Sequence, residues 1–239
     1  MPRILPCALL CAASLSAATP AFAWMTEPAR NPDNGHYYAF FGGAIGFEGA
    51  LAGAASLSHL GVPGHLATIT SQAEQDFVLE YSKNSGTPGF GYYEQRFWIA
   101  ASDAEVEGEW RWVAGPEQGQ LFWQGSVDLR GNITGQSFGY QNWSSWKSIL
   151  TEPNNSAQDR SRNPEGEDYL ALNLTRFPYA TQRSFWNDVI GLDDNEGFSP
   201  RFGLVEFSVP EPSSGALIAS AGSTLVAACR RRAKSAARR

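Results

Sequence analysis

Cysteine is nearly absent from this chain, and the positions of its few copies exclude two kinds of site. The sequence of 239 residues has three cysteines. Cys7 and Cys11 lie in an apolar N-terminal segment, and Cys229 lies in an apolar C-terminal one. Because no cysteine lies between them, the main part of the chain has neither a disulfide framework nor a cysteine-based zinc site.

Histidine and basic residues are scarce as well. The three histidines are scattered at positions 36, 59 and 65, which argues against a histidine-rich transition-metal site. Between residues 24 and 210 the chain has 23 acidic and 11 basic residues, which leaves a net charge of −12. Nucleic-acid binding needs a basic surface, so we expect no nucleic-acid partner. An acidic chain suits cation binding, although ordinary solubility also accounts for many of these acids.

Aromatic residues and apolar periodicity, by contrast, are plentiful. The hydrophobic content of 43% and the aromatic content of 13% are typical of a globular domain. Apolar residues three and four apart predict a helix from Phe47 to Leu60, which Gly61 would end. Ser71 and Glu74 form a capping box, which predicts a second helix. Short apolar or alternating runs predict strands at residues 35–40, 65–69, 97–101, 110–113, 169–174, 184–189 and 201–209.

The stretch from Gly115 to Asn155 has no long periodicity. Stretches of this length without regular structure inside a compact domain are usually either functional or disordered. Its many aromatic residues argue against disorder, because disordered segments are poor in aromatics. We therefore expect a functional loop region there.

Oxygen-bearing side chains cluster just after this stretch. Five of them lie within 37 residues of each other: Glu152, Asn154, Glu167, Asn187 and Asp188. Calcium takes about 6–8 oxygen ligands and accepts carboxylates and amide carbonyls together. The cluster therefore predicts a Ca2+ site.

Four separated motifs resemble the C-type lectin-like domain. They are residues 65–69 with the capped helix after them, Trp98-Ile99, Gly108-Glu109-Trp110-Arg111-Trp112, and the series Glu-Pro-Asn, Glu-Asp and Trp-Asn-Asp. Their order and spacing match that family over roughly residues 35–207. The resemblance implies an α+β fold in which two helices flank antiparallel strands. It also implies that the N- and C-terminal strands lie together and that a long irregular loop region carries a calcium and ligand site.

The resemblance further implies the roles of individual residues. By motif position, the calcium ligands are Glu152, Asn154, Glu167, Asn187 and Asp188. The first four of these would also bind the ligand. A cis peptide bond before Pro153 is implied, which would turn the side chains on either side of it toward the same ion. The order Glu-Pro-Asn implies mannose-type sugars, and Trp143 or Trp146 is a candidate for stacking on a sugar face.

The chain departs from the family pattern in two places. The usual cysteines are missing, and Tyr169 stands where one commonly follows Glu-Asp, so we expect a fold without disulfides. Residues 155–166 separate Asn154 from Glu167, and this insert is longer than in the usual sugar-binding members. The insert either carries ligand specificity or distorts the site.

Both ends of the chain predict export. Residues 1–23 have the pattern of a secretory signal peptide, with Arg3, an apolar run and the cleavage pattern Ala21-Phe22-Ala23. Residues 209–239 resemble the PEP-CTERM sorting signal of Gram-negative bacteria, with Pro210-Glu211-Pro212, a short apolar segment and an arginine-rich end. This implies an exosortase-type processing enzyme as partner, transient inner-membrane association, and delivery to the cell surface or extracellular matrix. A plain membrane anchor is the alternative. Residues 24–208 would form the C-type lectin-like domain.

These features predict an exported, calcium-dependent lectin whose partner is an extracellular glycan or exopolysaccharide. The alternative is a surface adhesin or matrix protein that binds protein, with calcium only structural or absent. Glu152 and Glu167 could also pair for glycoside hydrolysis. The asparagines beside them suit a cation better, and the sequence has no nucleophile elbow, P-loop or HExxH motif. We therefore expect no enzymatic activity.

Overall fold

Most of the described strands meet in one branched sheet. The computed structural model describes residues 24–43, 46–86, 95–128, 130–146, 149–156, 166–175, 183–191 and 200–210. The predicted signal peptide, residues 211–239 of the predicted sorting signal and the three cysteines lie outside these ranges. None of the helices in the described ranges is long and apolar enough to span a membrane.

The described elements are two helices and fifteen strands. The helices are α1 (Phe47–Ser56) and α2 (Gln72–Asn84). The strands in the first half are β1 (Trp24–Met25), β2 (Ala29–Arg30), β3 (Tyr37–Gly42), β4 (Ser58–His59), β5 (Val62–Pro63), β6 (His65–Leu66), β7 (Gln95–Ser102) and β8 (Glu109–Trp112). The strands in the second half are β9 (Leu121–Val127), β10 (Ile133–Ser137), β11 (Ser145–Trp146), β12 (Ile149–Leu150), β13 (Tyr169–Thr175), β14 (Arg183–Val189) and β15 (Phe202–Phe207).

The sheet confirms the predicted α+β fold class. Its strand order is β1-β3-β15-β7-β8-β9-β10, and β13 pairs with β7 and carries β14 on its other side. The N-terminal strand β3 and the C-terminal strand β15 pair antiparallel over six residues, from Tyr37↔Phe207 to Gly42↔Phe202. The terminal strands therefore lie together, as the family resemblance implies.

Helix α1 is shorter than the sequence predicts. It ends at Ser56, because Leu57 is already extended and donates its backbone N–H to the Ala54 carbonyl at 3.1 Å. The next residues form the β4–β5 hairpin, whose two-residue turn is Leu60-Gly61. Gly61 is therefore a hairpin glycine and does not end the helix. A two-residue turn between short strands has no apolar periodicity that would distinguish it from a helix end.

Helix α2 begins as predicted, but the Glu74 carboxyl accepts different hydrogen bonds from the one that a capping box implies. The Ser71 hydroxyl accepts the backbone N–H of Glu74 at 3.2 Å. The Glu74 carboxyl accepts the backbone N–H of Thr70, at 2.7 Å, and also a hydrogen bond from the Tyr38 hydroxyl. The carboxyl therefore joins the helix start to strand β3, which buries it.

The hairpin of β9 and β10 lies within the stretch that the sequence analysis treats as an irregular loop region. Its strands pair Gly125 with Gly135. A Cβ on Gly125 would lie 1.9 Å from Cη2 of Trp123, and one on Gly135 would lie 2.1 Å from Cζ2 of the same ring. The indole thus occupies the space that two side chains would fill. Glycines at these positions remove the alternation by which a strand is identified, so the prediction is wrong there.

The core beside this hairpin is aromatic. Trp186 is fully buried, and its ring lies 5.9 Å from that of Trp112, 5.7 Å from Phe122 and 5.9 Å from Trp143. The Trp186 indole N–H donates to the side chain of Gln75 at 2.9 Å. Trp143 is itself buried, so the prediction that it stacks on a bound sugar is wrong for this residue. The side chain of Trp146, the other candidate, lies outside the described part of the chain.

A buried carboxylate joins β15 to two histidines. Glu206 accepts a hydrogen bond from His36 Nδ1 at 2.6 Å and another from the Ser208 hydroxyl at 2.9 Å, and Ser208 in turn contacts His65 Nε2 at 2.7 Å. The hydrogen bond to Glu206 raises the pKa of His36 more than burial lowers it. Burial alone would raise the pKa of Glu206, but His36 and His65 hold it below its usual value. Glu74 and Glu117 also face His36 and favour its charged form.

We expect this pair to make stability depend on pH. The contribution of His36 is complete below its unfolded pKa, about 6.5, and is lost as pH rises through its raised folded pKa. The contribution of Glu206 is complete above about 4.3 and is lost as pH falls through its lowered folded pKa. Urea unfolding of wild type and His36→Gln between about pH 5 and about pH 9 measures the His36 limb. The wild type should exceed the variant by about 1–3 kcal/mol at the acidic end and lose that advantage at the basic end. An advantage that stays constant with pH contradicts this account.

Candidate functional site

The five predicted calcium ligands come from three segments that the sheet brings toward one another. Glu152 and Asn154 flank Pro153 just after β12, and the Glu152–Pro153 peptide bond is cis. Glu167 lies two residues before β13. Asn187 and Asp188 lie in β14, which pairs with β13 so that Asp188 is opposite Leu170. The ladder thus places the end of β14 beside the start of β13.

Asp188 holds the loop that carries Glu152 and Asn154. Its side chain is buried, with 1% of its surface exposed. One carboxylate oxygen accepts the backbone N–H of Asn154 at 3.1 Å, and the other accepts that of Asn155 at 2.6 Å. A single side chain in the sheet therefore fixes the backbone that follows Pro153.

Glu152 and Asp188 form a pair of adjacent carboxyl groups. Burial, the negative charge of Asp188 and a hydrogen bond between the two groups raise the pKa of Glu152 to about 10, and the charge of Glu167 adds to this. Burial also raises the pKa of Asp188, although hydrogen bonds from Glu152 and from three backbone amides oppose the rise. The Asn154 amide donates to Glu152 as well. Burial and the proximity of the two carboxyl groups therefore favour a proton on the pair when no cation is beside it.

Glu167 closes the base of the long insert. The backbone N–H of Ser156 donates to the Glu167 carboxylate at 2.6 Å, and the backbone N–H of Glu167 donates to the Asn155 side chain at 3.2 Å. Gly166 has φ +113, and a Cβ there would lie 2.0 Å from the Asn155 amide oxygen. Residues 157–165 lie outside the described ranges. The two described ends of the insert are thus hydrogen-bonded to each other. Glu152 and Glu167 therefore have defined positions at either side of the insert.

Asn187 is the member that the described structure does not bring into contact with the rest. It is half-buried between the fully buried Trp186 and Asp188. Successive side chains of a strand point to opposite faces, so Asn187 and Asp188 do not share a face of β14. Among the described residues, no hydrogen bond joins Asn187 to the other four predicted ligands.

Asp103 is an acidic site residue that the sequence analysis did not single out. It directly follows β7, and its backbone N–H donates to the Asp168 carbonyl at 3.2 Å. One carboxylate oxygen accepts the backbone N–H of Gly108 at 2.9 Å, and the other is buried with no hydrogen-bond partner in the described structure. Burial first, then the negative charges of Glu107, Asp168 and Asp188, raise the pKa of Asp103 to about 8. A carboxylate directly after a buried strand was the available sequence signal.

The chemistry of this region fits a hard cation. In the described ranges, no three His, Cys, Asp or Glu side chains are arranged as a ready metal site. Calcium, however, also binds amide and backbone oxygens, so a calcium site does not need three such side chains. No lysine or arginine among the described residues pairs with Glu152, Asp188 or Asp103. Buried carboxylates normally have a cationic partner, and here a bound cation would supply that charge.

Comparison with known proteins gives a family match. Residues 58–161 match the model of the lectin C-type domain. The match includes Glu152 and Asn154, and the other three predicted ligands lie beyond its end.

Two relatives match this chain over only a small part of their own length. The chain is 33% identical to halomucin of Haloquadratum walsbyi over 170 residues, which are 71% of this chain and 1% of halomucin. It is 37% identical to the hepatic lectin of Gallus gallus over 70 residues, which are 28% of this chain and 29% of that lectin. The chain thus spans less than a third of either relative.

A solved structure is also similar. Human lithostathine is 17% identical to this chain, with a TM-score of 0.44, and the alignment covers 77% of this chain and 88% of lithostathine. The lectin C-type domain match covers fewer than half of the residues of this chain, and it accompanies the sheet and two helices of an α+β fold.

Proposed function

We propose that this protein is a calcium-dependent carbohydrate-binding protein. One observation carries the proposal. The half-buried Glu152 and the buried Asp188 form a carboxyl pair that no described basic residue neutralises, beside the loop that the Asp188 carboxylate holds in place. A divalent cation would relieve the repulsion within this pair and replace the proton on it.

The residues that would hold the ion are Glu152, Asn154, Glu167 and Asp188. Asn187 is a further candidate from its motif position alone, because it lies on the other face of β14 from Asp188. Calcium bound there would supply positive charge and coordination positions that sugar hydroxyls can complete. Carboxylate oxygens of Glu152 and Glu167 can accept hydrogen bonds from those hydroxyls, and the amides of Asn154 and Asn187 can donate. The order Glu152-Pro153-Asn154 supports mannose-type glycans through the family resemblance. The name of the chicken hepatic lectin describes that protein as a lectin, which supports the same class of ligand.

Export and surface delivery belong to the proposal on sequence grounds. The signal-peptide pattern at residues 1–23 supports secretion. The Pro210-Glu211-Pro212 motif, the apolar segment after it and the arginine-rich end support processing by an exosortase-type enzyme after transient inner-membrane association. The natural ligand would then be an extracellular glycan or exopolysaccharide at the cell surface or in the matrix.

A second candidate function is an adhesin whose calcium only orders the loop. Both oxygens of Asp188 and one of Glu167 already accept backbone N–H groups. The Asn154 amide is likewise used within the loop, since it donates to Glu152 and to the Thr151 carbonyl. Side chains that are already hydrogen-bonded within the loop favour a calcium ion that only orders this loop. The domain would then bind protein.

Calorimetric titration of the full chain tests the proposal. We expect calcium binding, and binding of a mannose-type glycan that disappears when a chelator is added. The double variant Glu152→Gln, Asn154→Asp should lose glycan binding, while Glu80→Gln on the exposed face of α2 should keep it. Calcium binding without glycan binding favours the adhesin with structural calcium. No calcium binding at millimolar concentration refutes the calcium-dependent lectin and leaves the adhesin without calcium.

A further inference from the structure

A second cleft lies among segments that the calcium site does not use. It has a volume of about 450 Å³, within the range of small-molecule pockets. Its walls are the turn between β2 and β3, the β4–β5 hairpin, and residues 209–210 after β15. None of the five predicted calcium ligands lines it.

The turn that forms one wall is held rigidly. The Asn31 side chain accepts the backbone N–H of Asp33 at 3.0 Å, and the Asn34 side chain accepts that of His36 at 3.0 Å. The Gly35 backbone N–H donates to the Asn31 carbonyl at 2.9 Å. A wall with this many internal hydrogen bonds is formed before any ligand arrives, which lowers the entropic cost of binding.

Leu60, at the tip of the opposite hairpin, has both an unusual backbone conformation and an unusually exposed side chain. Its φ is +50, in the left-handed region that favours glycine or asparagine. Its side chain is also 75% exposed, the largest exposure among the large hydrophobic residues of the described structure. Residues that are both strained and exposed cluster at ligand clamps, and this one lines the cleft.

The cleft is also lined by a cation that has no ion-pair partner among the described residues. Arg30 is exposed and makes no salt bridge with a described residue, and it pairs directly across the strands with Tyr37. The Tyr37 ring lies 4.7 Å from that of His59, so the two rings form an aromatic wall of the cleft that Arg30 also lines. Asp33 adds an exposed carboxylate to the lining.

We propose that this cleft binds an acidic sugar unit, such as a uronic acid, independently of calcium. The planar guanidinium of Arg30 matches a carboxylate in a bidentate geometry. The Tyr37–His59 wall and Leu60 suit the apolar C–H face of a pyranose ring, and Asp33 can accept from its hydroxyls. A fatty acid fits less well, since Arg30, Asp33 and Asn34 make one side of the lining polar. The protein would then contact a glycan at two separate places.

A matched pair of sugars tests this proposal. The full chain is titrated, with chelator present, with a galacturonate disaccharide and with its galactose counterpart, which differs in having no carboxylate. We expect the acidic sugar to bind about tenfold or more tightly than the neutral one. Arg30→Gln should remove that preference, and Arg130→Gln, an exposed arginine outside the cleft, should retain it. Equal binding of the two sugars overturns the proposal, as does an unchanged preference in Arg30→Gln.

Leu60→Asn supplies a second test that a folding defect cannot imitate. Because asparagine tolerates the left-handed region, the variant should be at least as thermostable as the wild type and yet bind the acidic sugar about tenfold more weakly. Ile149→Asn, at an exposed position outside the cleft, should leave binding unchanged. Loss of acidic-sugar binding on chelation would assign it to the calcium site and overturn the second site alone, so the two proposals fail separately.

Discussion

Replacing Trp186 with alanine is expected to lower the free energy of unfolding by about 3–5 kcal/mol, the cost of removing a fully buried tryptophan. The ring is fully buried and contacts Trp112, Phe122 and Trp143. Its removal also leaves the Gln75 side-chain oxygen without the indole N–H that it accepts. Cavity formation and an unpaired buried polar group therefore act in the same direction.

Denaturant unfolding followed by circular dichroism measures this loss. Trp186→Phe is the matched variant, since it keeps most of the ring and removes the N–H, and it should cost about 1–3 kcal/mol. It also provides a measurement if the alanine variant does not fold. A loss below about 1 kcal/mol for alanine would mean that the aromatic cluster is not the main source of stability here.

Replacing Asp188 with alanine is expected to weaken calcium binding by about 100-fold or more. The change removes a carboxylate from the proposed ligand set. It also removes both acceptors that hold the backbone of Asn154 and Asn155 at 3.1 Å and 2.6 Å. Since Glu152 lies on the same loop, the geometry of the remaining ligands is lost with it.

Asp128 is the matched control for this variant. Its carboxylate accepts the backbone N–H groups of Arg130 and Asn132 at 2.8 Å and 2.9 Å, in an exposed turn between β9 and β10. Asp128→Ala thus removes the same kind of local hydrogen bonding and should leave calcium titration unchanged. Equal calcium affinity in Asp188→Ala and wild type would show that Asp188 is not a ligand and does not position one.

The described domain contains no cysteine, and its packing shows one way in which this is accommodated. By the sequence resemblance, Tyr169 stands where C-type lectin-like domains commonly have a cysteine. Its ring lies 4.5 Å from that of Phe47 in α1, and a Cβ on Gly191 would lie 2.4 Å from it. The tyrosine thus joins the start of β13 to α1 and to the end of β14. A disulfide is typically worth about 2–4 kcal/mol, and buried aromatic contacts of this kind can offset part of that.

Much of the fold could be predicted from local patterns. The alternation of Tyr169 to Leu174 and the apolar run around Trp98 predict strands that the structure contains. A strand with one buried face alternates apolar and polar residues, and a strand buried on both faces is continuously apolar, so both patterns can be identified in the sequence. The start of α2 was also predictable, since Ser71 caps it. The β9–β10 hairpin was not, because Trp123 fills the space over Gly125 and Gly135 and no alternation remains.

Within the candidate site, the sequence by itself determined which residue types lie close along the chain and the family motif they form. Tertiary structure alone decided which of them meet. Pairing of β13 with β14 and the hydrogen bonds of Asp188 bring Glu152 and Asp188 together, whereas strand alternation turns Asn187 to the other face. Burial, which depends on the whole fold, makes Asp103 part of the acidic region and raises the pKa of Glu152. The electrostatic state of the site thus follows from long-range packing, which no local pattern of residues records.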